Sequence, residues 1–143
     1  MKIIPAHNRV QIKQLLASVG LPTDDIDEDS SALFYLVEHQ SEVIGLIGME
    51  CFQKEALLRS LMVKPAYRDQ GLGRQLVNHI QQTARRQGAL RLYLLTTTAS
   101  NYFLQQGFHS ISRDETPEAI KATDEFSHIC PASATIMCKE LNT

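Results

Sequence analysis

A predicted strand is joined to a long predicted helix by the sequence Leu61-Met62-Val63-Lys64-Pro65-Ala66-Tyr67-Arg68-Asp69-Gln70-Gly71-Leu72-Gly73-Arg74. Pro65 ends the strand because proline cannot donate to a sheet ladder. The two glycines let the backbone adopt tight angles and let a ligand approach the main chain closely. The first amides of a helix lack an internal partner, and the helix dipole favours negative charge there. The pattern therefore predicts an anion site, most naturally for a pyrophosphate, with Arg68 and Arg74 able to add charge-assisted bonds.

Two familiar phosphate-binding motifs do not fit this turn. A Walker loop needs a lysine followed by serine or threonine, and neither follows the glycines here. A dinucleotide fingerprint needs a third glycine after the first strand of a βαβ unit. The strand before Pro65 instead belongs to a predicted antiparallel meander, so the ligand is of another kind.

The segments on either side predict a mixed sheet with helices on its faces, in the α/β (α+β) class. Alternating or continuous apolar runs predict strands at residues 3–4, 33–37, 43–49, 57–63, 90–95 and 134–141, with Phe108 opening another. Helical periodicity and punctuation predict helices from Asn8 to Gly20, from Gly71 to Gly88 and from Ser100 to Gln106. A further helix is expected to start with Thr116 as its cap and Pro117 as its first residue.

Length and composition are those of a single globular domain spanning residues 1–143. The chain is 43% apolar and 21% charged, and 14 basic against 16 acidic residues give a net charge of −2. This balance argues against non-specific nucleic-acid binding. No apolar run is long enough for a signal peptide or a spanning helix, so a membrane is not an expected partner either. Three cysteines without metal-ligand spacing predict neither a disulfide framework nor a metal site and favour the cytoplasm: Cys51, Cys130 and Cys138.

The chain resembles the GNAT acyltransferase superfamily, most specifically over residues 57–108. The pattern Leu61-x-Val63-x-Pro65-x-x-Arg68-x-x-Gly71-x-Gly73 is similar to the superfamily's acetyl-CoA motif. The resemblance implies a GNAT fold with a mainly antiparallel sheet, and acetyl transfer from acetyl-CoA to a primary amine of a small molecule. It implies that five backbone amides hold the CoA pyrophosphate, those of Asp69, Gln70, Gly71, Leu72 and Gly73. The main-chain groups of Leu61, Met62 and Val63 at the strand edge would pair with the pantetheine arm as an added strand does.

A second block, Thr96-x-x-Ala99-x-x-Tyr102-Phe103-x-x-x-Gly107-Phe108, departs from the superfamily at two positions. Asparagine usually stands at the position of Thr96 and bonds the pantetheine arm, and the threonine hydroxyl can serve with one fewer donor. Tyrosine commonly stands at the position of Phe103 as general acid for the departing thiolate, and here Tyr102 is its nearest replacement. A shift of one residue turns a side chain by about 100° around a helix. Three alternatives stay open: Tyr102 reaches the sulfur by a change of helix phase, a water or backbone donor replaces it, or the fold binds CoA without catalysis.

A finer resemblance predicts the substrate class. Three segments are similar to small GNAT proteins of arsenic-resistance operons: Tyr93-Leu94-Leu95-Thr96-Thr97-Thr98-Ala99, Arg113-Asp114-Glu115-Thr116-Pro117-x-Ala119-Ile120 and Phe126-Ser127-x-x-Cys130-Pro131-Ala132-Ser133-Ala134. Those proteins resemble acetyltransferases that act on the α-amino group of glutamate-like antimetabolites. The implied substrate is an amino-acid-like amine that carries an arsinic or phosphinic group.

The chemistry of direct transfer needs an oxyanion donor and a base. The resemblance to the GNAT fold implies that an amide near Met62 or Val63 is the donor. No covalent acetyl-enzyme is expected because no cysteine or serine lies beside an evident base. Strict alternation of the strand at residues 57–63 would place Arg59 and Met62 on opposite faces. That strand carries no carboxylate, so the base must come from elsewhere in the chain, with Glu50 and His109 as candidates.

Arg59 has two interpretations, since an arginine in a central strand is rarely buried without a partner. It can form an ion pair with Glu50 or Glu55, or it can recognise a carboxylate or oxyanion of the substrate. The acidic run at residues 24–29, a solvated loop or a lip over the site, points instead toward a cationic amine.

Two functions other than catalysis on a small amine stay open. Phe103 is compatible with a non-catalytic acyl-CoA sensor. An acetyltransferase toxin acting on charged tRNA would need a basic face, and the charge balance weighs against it. The oligomeric state, a homodimer included, stays open.

Overall fold

The computed structural model describes residues 2–20, 23, 26, 32–123, 126 and 134–141. In chain order their elements are β1 (Lys2–Ala6), α1 (Arg9–Ser18), β2 (Leu33–His39), β3 (Glu42–Phe52), β4 (Glu55–Val63), α2 (Leu72–Arg86), β5 (Arg91–Thr96), α3 (Ser100–Leu104), β6 (His109–Ile111), α4 (Glu118–Lys121) and β7 (Thr135–Glu140). Two 3₁₀ turns lie at Pro65–Tyr67 and Arg113–Glu115. No described helix has the length and apolar character that crossing a membrane requires.

The strands form a seven-stranded mixed sheet in the order β1-β2-β3-β4-β5-β7-β6. The pairs β1–β2, β2–β3, β5–β7 and β6–β7 are antiparallel. The pair β4–β5 is parallel, with Glu55–Leu57 in register with Arg91–Tyr93. A parallel pair needs a crossover connection, which α2 supplies. The predicted mixed, mainly antiparallel sheet with helices is confirmed.

The chain divides into two compact units. The first comprises Met1–Glu50 with Leu58–Ile80, and the second comprises Cys51–Leu57 with Gln81–Thr143. A single domain over residues 1–143 stays a prediction. The acidic residues of the run at 24–29, and the cysteine at position 130, lie outside the described residues.

The first unit is built around α1 and the strands β1 to β4. The predicted cap of α1 is confirmed, since the Asn8 side chain accepts a hydrogen bond from the Gln11 amide at 3.0 Å. The buried face of α1 packs in one cluster with apolar side chains from three strands: Ile12, Leu16, Phe34, Leu36, Leu46 and Met62. Successive residues with positive φ, Gln40 and Ser41, form the tight turn between β2 and β3, as the twist of a hairpin favours.

Helix α2 begins against a glycine of β3. A Cβ atom at Gly45 would lie 3.1 Å from Leu76 Cδ1 and 3.3 Å from Leu72 Cδ2, so any larger residue would force these leucine side chains to shift by a few tenths of an ångström. Leu72, Leu76 and Ile80 are buried, which confirms the predicted helix face. This packing fixes the position of the helix N-terminus in the first unit.

The predicted cap at Thr116 is wrong. The Thr116 hydroxyl donates backwards to the Ser112 carbonyl at 3.0 Å, and α4 begins after Pro117, which has no capping side chain. The capping residue of this segment is Ser112. Its hydroxyl accepts from the Glu115 amide at 3.2 Å, while the Glu115 carboxylate accepts from the Ser112 amide at 2.9 Å. Because this capping box fixes the 3₁₀ turn, the hydroxyl of Thr116 is used at its end.

Candidate active site

The turn between β4 and α2 holds a row of backbone amides without acceptors. Gln75 makes a helical bond from its amide to the Gly71 carbonyl at 3.0 Å. Within the described part of the chain no group accepts from the five amides that precede it at residues 69–73. They lie at the positive end of the α2 dipole. The turn therefore has the main-chain donors that a pyrophosphate requires.

Left-handed backbone gives the turn its shape. Asp69 has φ +64° and Gly71 has φ +83°, a region that side chains with a Cβ rarely adopt. A Cβ at Gly71 would meet no described atom within 4 Å, so it would project into open space. Gly71 is thus required for its backbone angle and for the space beside the amides.

The two arginines of the motif differ in what the structure shows of them. Arg68 donates from Nε to the Val63 carbonyl at 2.9 Å, so its guanidinium braces the turn against the end of β4. Arg74 is exposed in the first turn of α2. The brace was not foreseen from the sequence, because only the folded turn brings Arg68 within reach of Val63.

An open cavity of about 290 Å³ lies beside the turn and is lined by Tyr67, Gln70, Leu72 and Gln75. Gln70 also donates to the Ala66 carbonyl at a long 3.4 Å. Gln75 was missed by sequence reasoning. Its spacing of four from Gly71 was the available signal, since residues four apart lie on one helix face.

The strict alternation expected along β4 is wrong beyond Ser60. Ser60 has φ +60°, which interrupts the strand as a bulge does. The Arg59 guanidinium lies 5.9 Å from the centre of the Phe34 ring, and Met62 packs in the same cluster as Phe34. Arg59 and Met62 therefore share a face although they are three residues apart. Leu61 and Val63, which flank Met62, are half-buried.

Arg59 forms the ion pair that one of its two interpretations predicted. Its side chain is 0% exposed, and Nη1 lies 3.2 Å from Oε2 of Glu50, whose side chain is 14% exposed. Its Nε donates to the Ser60 hydroxyl at 3.1 Å. The Glu50 carboxylate, a candidate base, is thus engaged by a guanidinium.

In the second unit, Thr96 ends β5 with its hydroxyl oxygen already in use. It accepts a hydrogen bond from the Ala99 amide at 3.0 Å. The hydroxyl proton remains as a donor, because a hydroxyl carries one donor and two acceptor sites. Thr96 can therefore donate to a ligand carbonyl.

Helix α3 separates the two aromatic residues of the second block. Phe103 is 5% exposed and packs edge-on against Phe108, with ring centres 5.6 Å apart. Tyr102 is 40% exposed and lies edge-on to Phe103 at 5.2 Å. Successive residues of a helix point about 100° apart, which explains why one ring is buried and the other is exposed. His109, the other candidate base, lies exposed at the start of β6 opposite Cys138.

The described cysteines are thiols at neutral pH. Burial raises the pKa of Cys51, and burial also raises the pKa of Cys138. A nucleophilic cysteine needs a lowered pKa, so neither residue has the character of an acyl-carrying nucleophile. Among the described residues no group of three or more His, Cys, Asp or Glu side chains could hold a metal ion.

Comparison with known proteins decides the family. A family model described as an acetyltransferase (GNAT) domain matches residues 30–110, more than half of the chain. The chain belongs to the GNAT acetyltransferase family. The predicted superfamily and its fold are thereby confirmed.

Curated relatives of this GNAT chain carry the name amino-acid acetyltransferase. It is 31% identical over 86 residues to an amino-acid acetyltransferase from Aeromonas salmonicida, a match that covers 59% of this chain and 20% of the relative. The curated relatives it matches are thus about five times longer than the matched region. Those relatives carry no name that refers to arsenic resistance.

Solved GNAT structures share the fold over nearly the whole chain. N-acetylglutamate synthase from Neisseria gonorrhoeae, complexed with coenzyme A and L-arginine, is 26% identical with a TM-score of 0.81, covering 99% of this chain and 33% of that one. A GNAT-family acetyltransferase from Staphylococcus aureus Mu50 is 18% identical with a TM-score of 0.76, covering 99% of both chains.

Proposed function

We propose that this chain transfers the acetyl group of acetyl-CoA to the α-amino group of an amino acid. The observation that carries the proposal is the row of five acceptor-free amides at the start of α2. Family membership supports acetyl transfer, and the names of the relatives support an amino acid as acceptor.

In the first unit, the turn would hold the diphosphate of acetyl-CoA through the amides of residues 69–73, with Arg74 adding positive charge beside it. Arg68 would act both through its charge and through its bond to Val63. The main chain of residues 61–63 would pair with the pantetheine arm, and one of its amides would polarise the thioester carbonyl. In the second unit, the resemblance assigns the Thr96 hydroxyl as a hydrogen-bond donor to pantetheine.

Transfer would be direct. The neutral amine attacks the thioester carbonyl carbon, a C–N bond forms, the C–S bond breaks, and CoA leaves with the electron pair on sulfur. The amine loses one proton to a base, for which Glu50 and His109 are the candidates. The sulfur gains a proton from Tyr102 or from water. The thiol character of Cys51 and Cys138 supports a path without an acetylated cysteine.

The finer proposal concerns the group at the other end of the acceptor. The sequence segments that resemble arsenic-resistance proteins favour a glutamate-like compound whose side chain ends in an arsinic or phosphinic group. Such a group is tetrahedral and anionic, whereas a carboxylate is planar, so one pocket shape cannot suit both equally. A comparison of matched acceptors distinguishes these two substrates.

The test is whether the release of free thiol from acetyl-CoA depends on the acceptor, measured over a panel of acceptors. The panel holds common L-amino acids, their phosphinic and arsinic analogues, and the matching amines that lack the α-carboxylate. We expect release with at least one α-amino acid and none with the decarboxylated amines. Release from the decarboxylated amines alone would contradict the amino-acid assignment.

A non-catalytic sensor is the second candidate, favoured by the buried Phe103 where the family commonly has tyrosine. A sensor binds acetyl-CoA but releases no thiol with any acceptor. Calorimetric titration with CoA, run beside the thiol assay, separates the two functions.

A further inference from the structure

Ser60 has an uncommon backbone conformation in the middle of β4. Its φ of +60° lies in the left-handed region, which a serine adopts only when its surroundings enforce it. Ser60 directly precedes the segment Leu61–Val63. The bulge therefore sets the direction in which that main chain points, since a shift of one residue reverses the faces of a strand.

The group that lies against this bulge is the Arg59 guanidinium. Its Nε donates to Ser60 Oγ at 3.1 Å, while Nη1 donates to Glu50 Oε2 at 3.2 Å. Glu50 belongs to β3, so one planar group joins the bulge to the neighbouring strand. A lysine has a single nitrogen and cannot reproduce this two-point contact.

The Arg59 side chain packs against Gly48 and the ring of Phe34. A Cβ at Gly48 would lie 2.6 Å from Phe34 Cε1 and 3.1 Å from Arg59 Cγ, so any larger residue would displace both side chains. The guanidinium lies 5.9 Å from the centre of the Phe34 ring, within the range of a cation–π contact. The side chain is fully buried, so its hydrogen bonds are stronger than in water and the loss of a partner would be costly.

We propose that Arg59 is a positioning residue that clamps the bulge at Ser60 and so aims the main chain of residues 61–63 at the acyl group. The proposal rests on the proposed function, which gives that main chain the thioester carbonyl. Arg59 acts through Ser60 and Glu50 and does not itself touch the reacting atoms. This role differs from recognition of a substrate carboxylate, because the guanidinium is occupied within the protein.

The first experiment tests the clamp without any activity. In ¹H–¹⁵N spectra the Arg59 Nε–H is expected to exchange slowly with water, and Ser60→Ala should abolish that protection. Arg91 is the control, since its Nε donates to Glu140 Oε1 at 3.0 Å on the exposed surface and should exchange fast in both proteins. An Arg59 signal whose exchange rate is the same in wild type and Ser60→Ala overturns the clamp.

The second experiment tests its consequence for transfer. Ser60→Ala keeps the backbone strain without the hydroxyl, whereas Ser60→Gly removes the strain. We expect Ser60→Ala and Arg59→Lys to lower kcat by about 100-fold, the cost of a misplacement of roughly 1 Å, with an unchanged Kd for CoA. Ser60→Gly should restore most of the activity in the Arg59→Lys background, and Arg91→Lys should behave as wild type.

A stabilising role alone gives a different pattern. Arg59→Lys would then lower the melting temperature while kcat per folded molecule stayed at the wild-type value, and Ser60→Gly would rescue no activity. Either result overturns the positioning role. A wild-type protein that releases no thiol with any acceptor overturns the proposed function instead, and the exchange experiment still decides the clamp.

Discussion

The guanidinium of Arg68 reaches back across the turn and donates from Nε to the carbonyl oxygen of Val63 at 2.9 Å. This bond joins the last residue of β4 to the turn that precedes α2. The turn is therefore fixed by a side chain that also carries positive charge beside the proposed diphosphate site.

Arg68→Ala should weaken CoA binding, because it removes both the brace and the charge. A hydrogen bond that involves a charged group contributes about 1.5–3 kcal/mol, so the Kd for CoA should rise at least about tenfold. Arg86→Ala, at the exposed end of α2, is the matched control and should leave the Kd unchanged. Calorimetric titration measures both, and equal affinities would show that Arg68 has no part in the site.

Gly71→Val should abolish CoA binding. The valine would adopt φ +83° at a strain of about 1–3 kcal/mol, and its side chain would occupy the open space beside the amides.

Gly20 offers a control for the strain alone, since it has φ +76°, likewise has no atom of the described residues within 4 Å of a Cβ, and lies after α1. We expect Gly20→Val and Gly71→Val to lose similar free energies of unfolding, while Gly20→Val still binds CoA. Retention of CoA binding in Gly71→Val would refute the placement of the diphosphate.

Tyr102→Phe tests the proton donor on α3. If the phenol protonates the departing sulfur, kcat should fall by about 100-fold, the lower range for general acid catalysis, and the alkaline limb of the pH–rate profile should change. Tyr35→Phe is the control, a half-buried tyrosine of β2 that packs edge-on against His79. An unchanged profile for Tyr102→Phe would leave water as the donor.

Tyr93 should make the protein less stable at high pH. Burial raises the pKa of Tyr93 above its ordinary value of 10.0, so the folded state holds the phenol proton longer than the unfolded chain does. Its contribution to stability is complete below pH 10 and is lost as the pH rises, with a slope of about 1.4 kcal/mol per pH unit.

Tyr93→Phe should remove that part of the slope. Denaturant unfolding at a series of pH values from 7 to 12 measures it for both proteins. Near pH 7 the free energies of unfolding of the two proteins should vary with pH in the same way. Identical slopes above pH 10 would contradict the burial of an ionisable phenol in the folded state.

Regular elements and the turn between β4 and α2 were predictable from the sequence because their signals are local. Pro65 and the glycines at 71 and 88 mark where β4 ends and where α2 begins and ends, and each acts through its own backbone. The cap at Asn8 was likewise predictable, since the side chain bonds an amide only three residues away.

Features that depend on contacts between strands were not predictable. Serine carries no preference for positive φ, so nothing in the sequence marked the bulge at Ser60, and the alternation beyond it was wrong. Arg59 had two possible partners in the sequence, and only the register of the fold brings Glu50 to its guanidinium. At Thr116 the local rule failed because the hydroxyl donates backwards to the Ser112 carbonyl instead of accepting from an amide of α4.

The donors proposed for the diphosphate belong to the main chain, and this has a consequence for how the chain can evolve. At position 70 the side chain can change while the N–H remains, whereas residue 69 must keep its left-handed backbone and residue 72 must still pack against Gly45. Gly71 needs both a left-handed backbone and empty space beside it, so it is expected to tolerate the least change. Inhibitors directed at this turn would accordingly be hard to escape by substitution, because the protein cannot discard the atoms they bind.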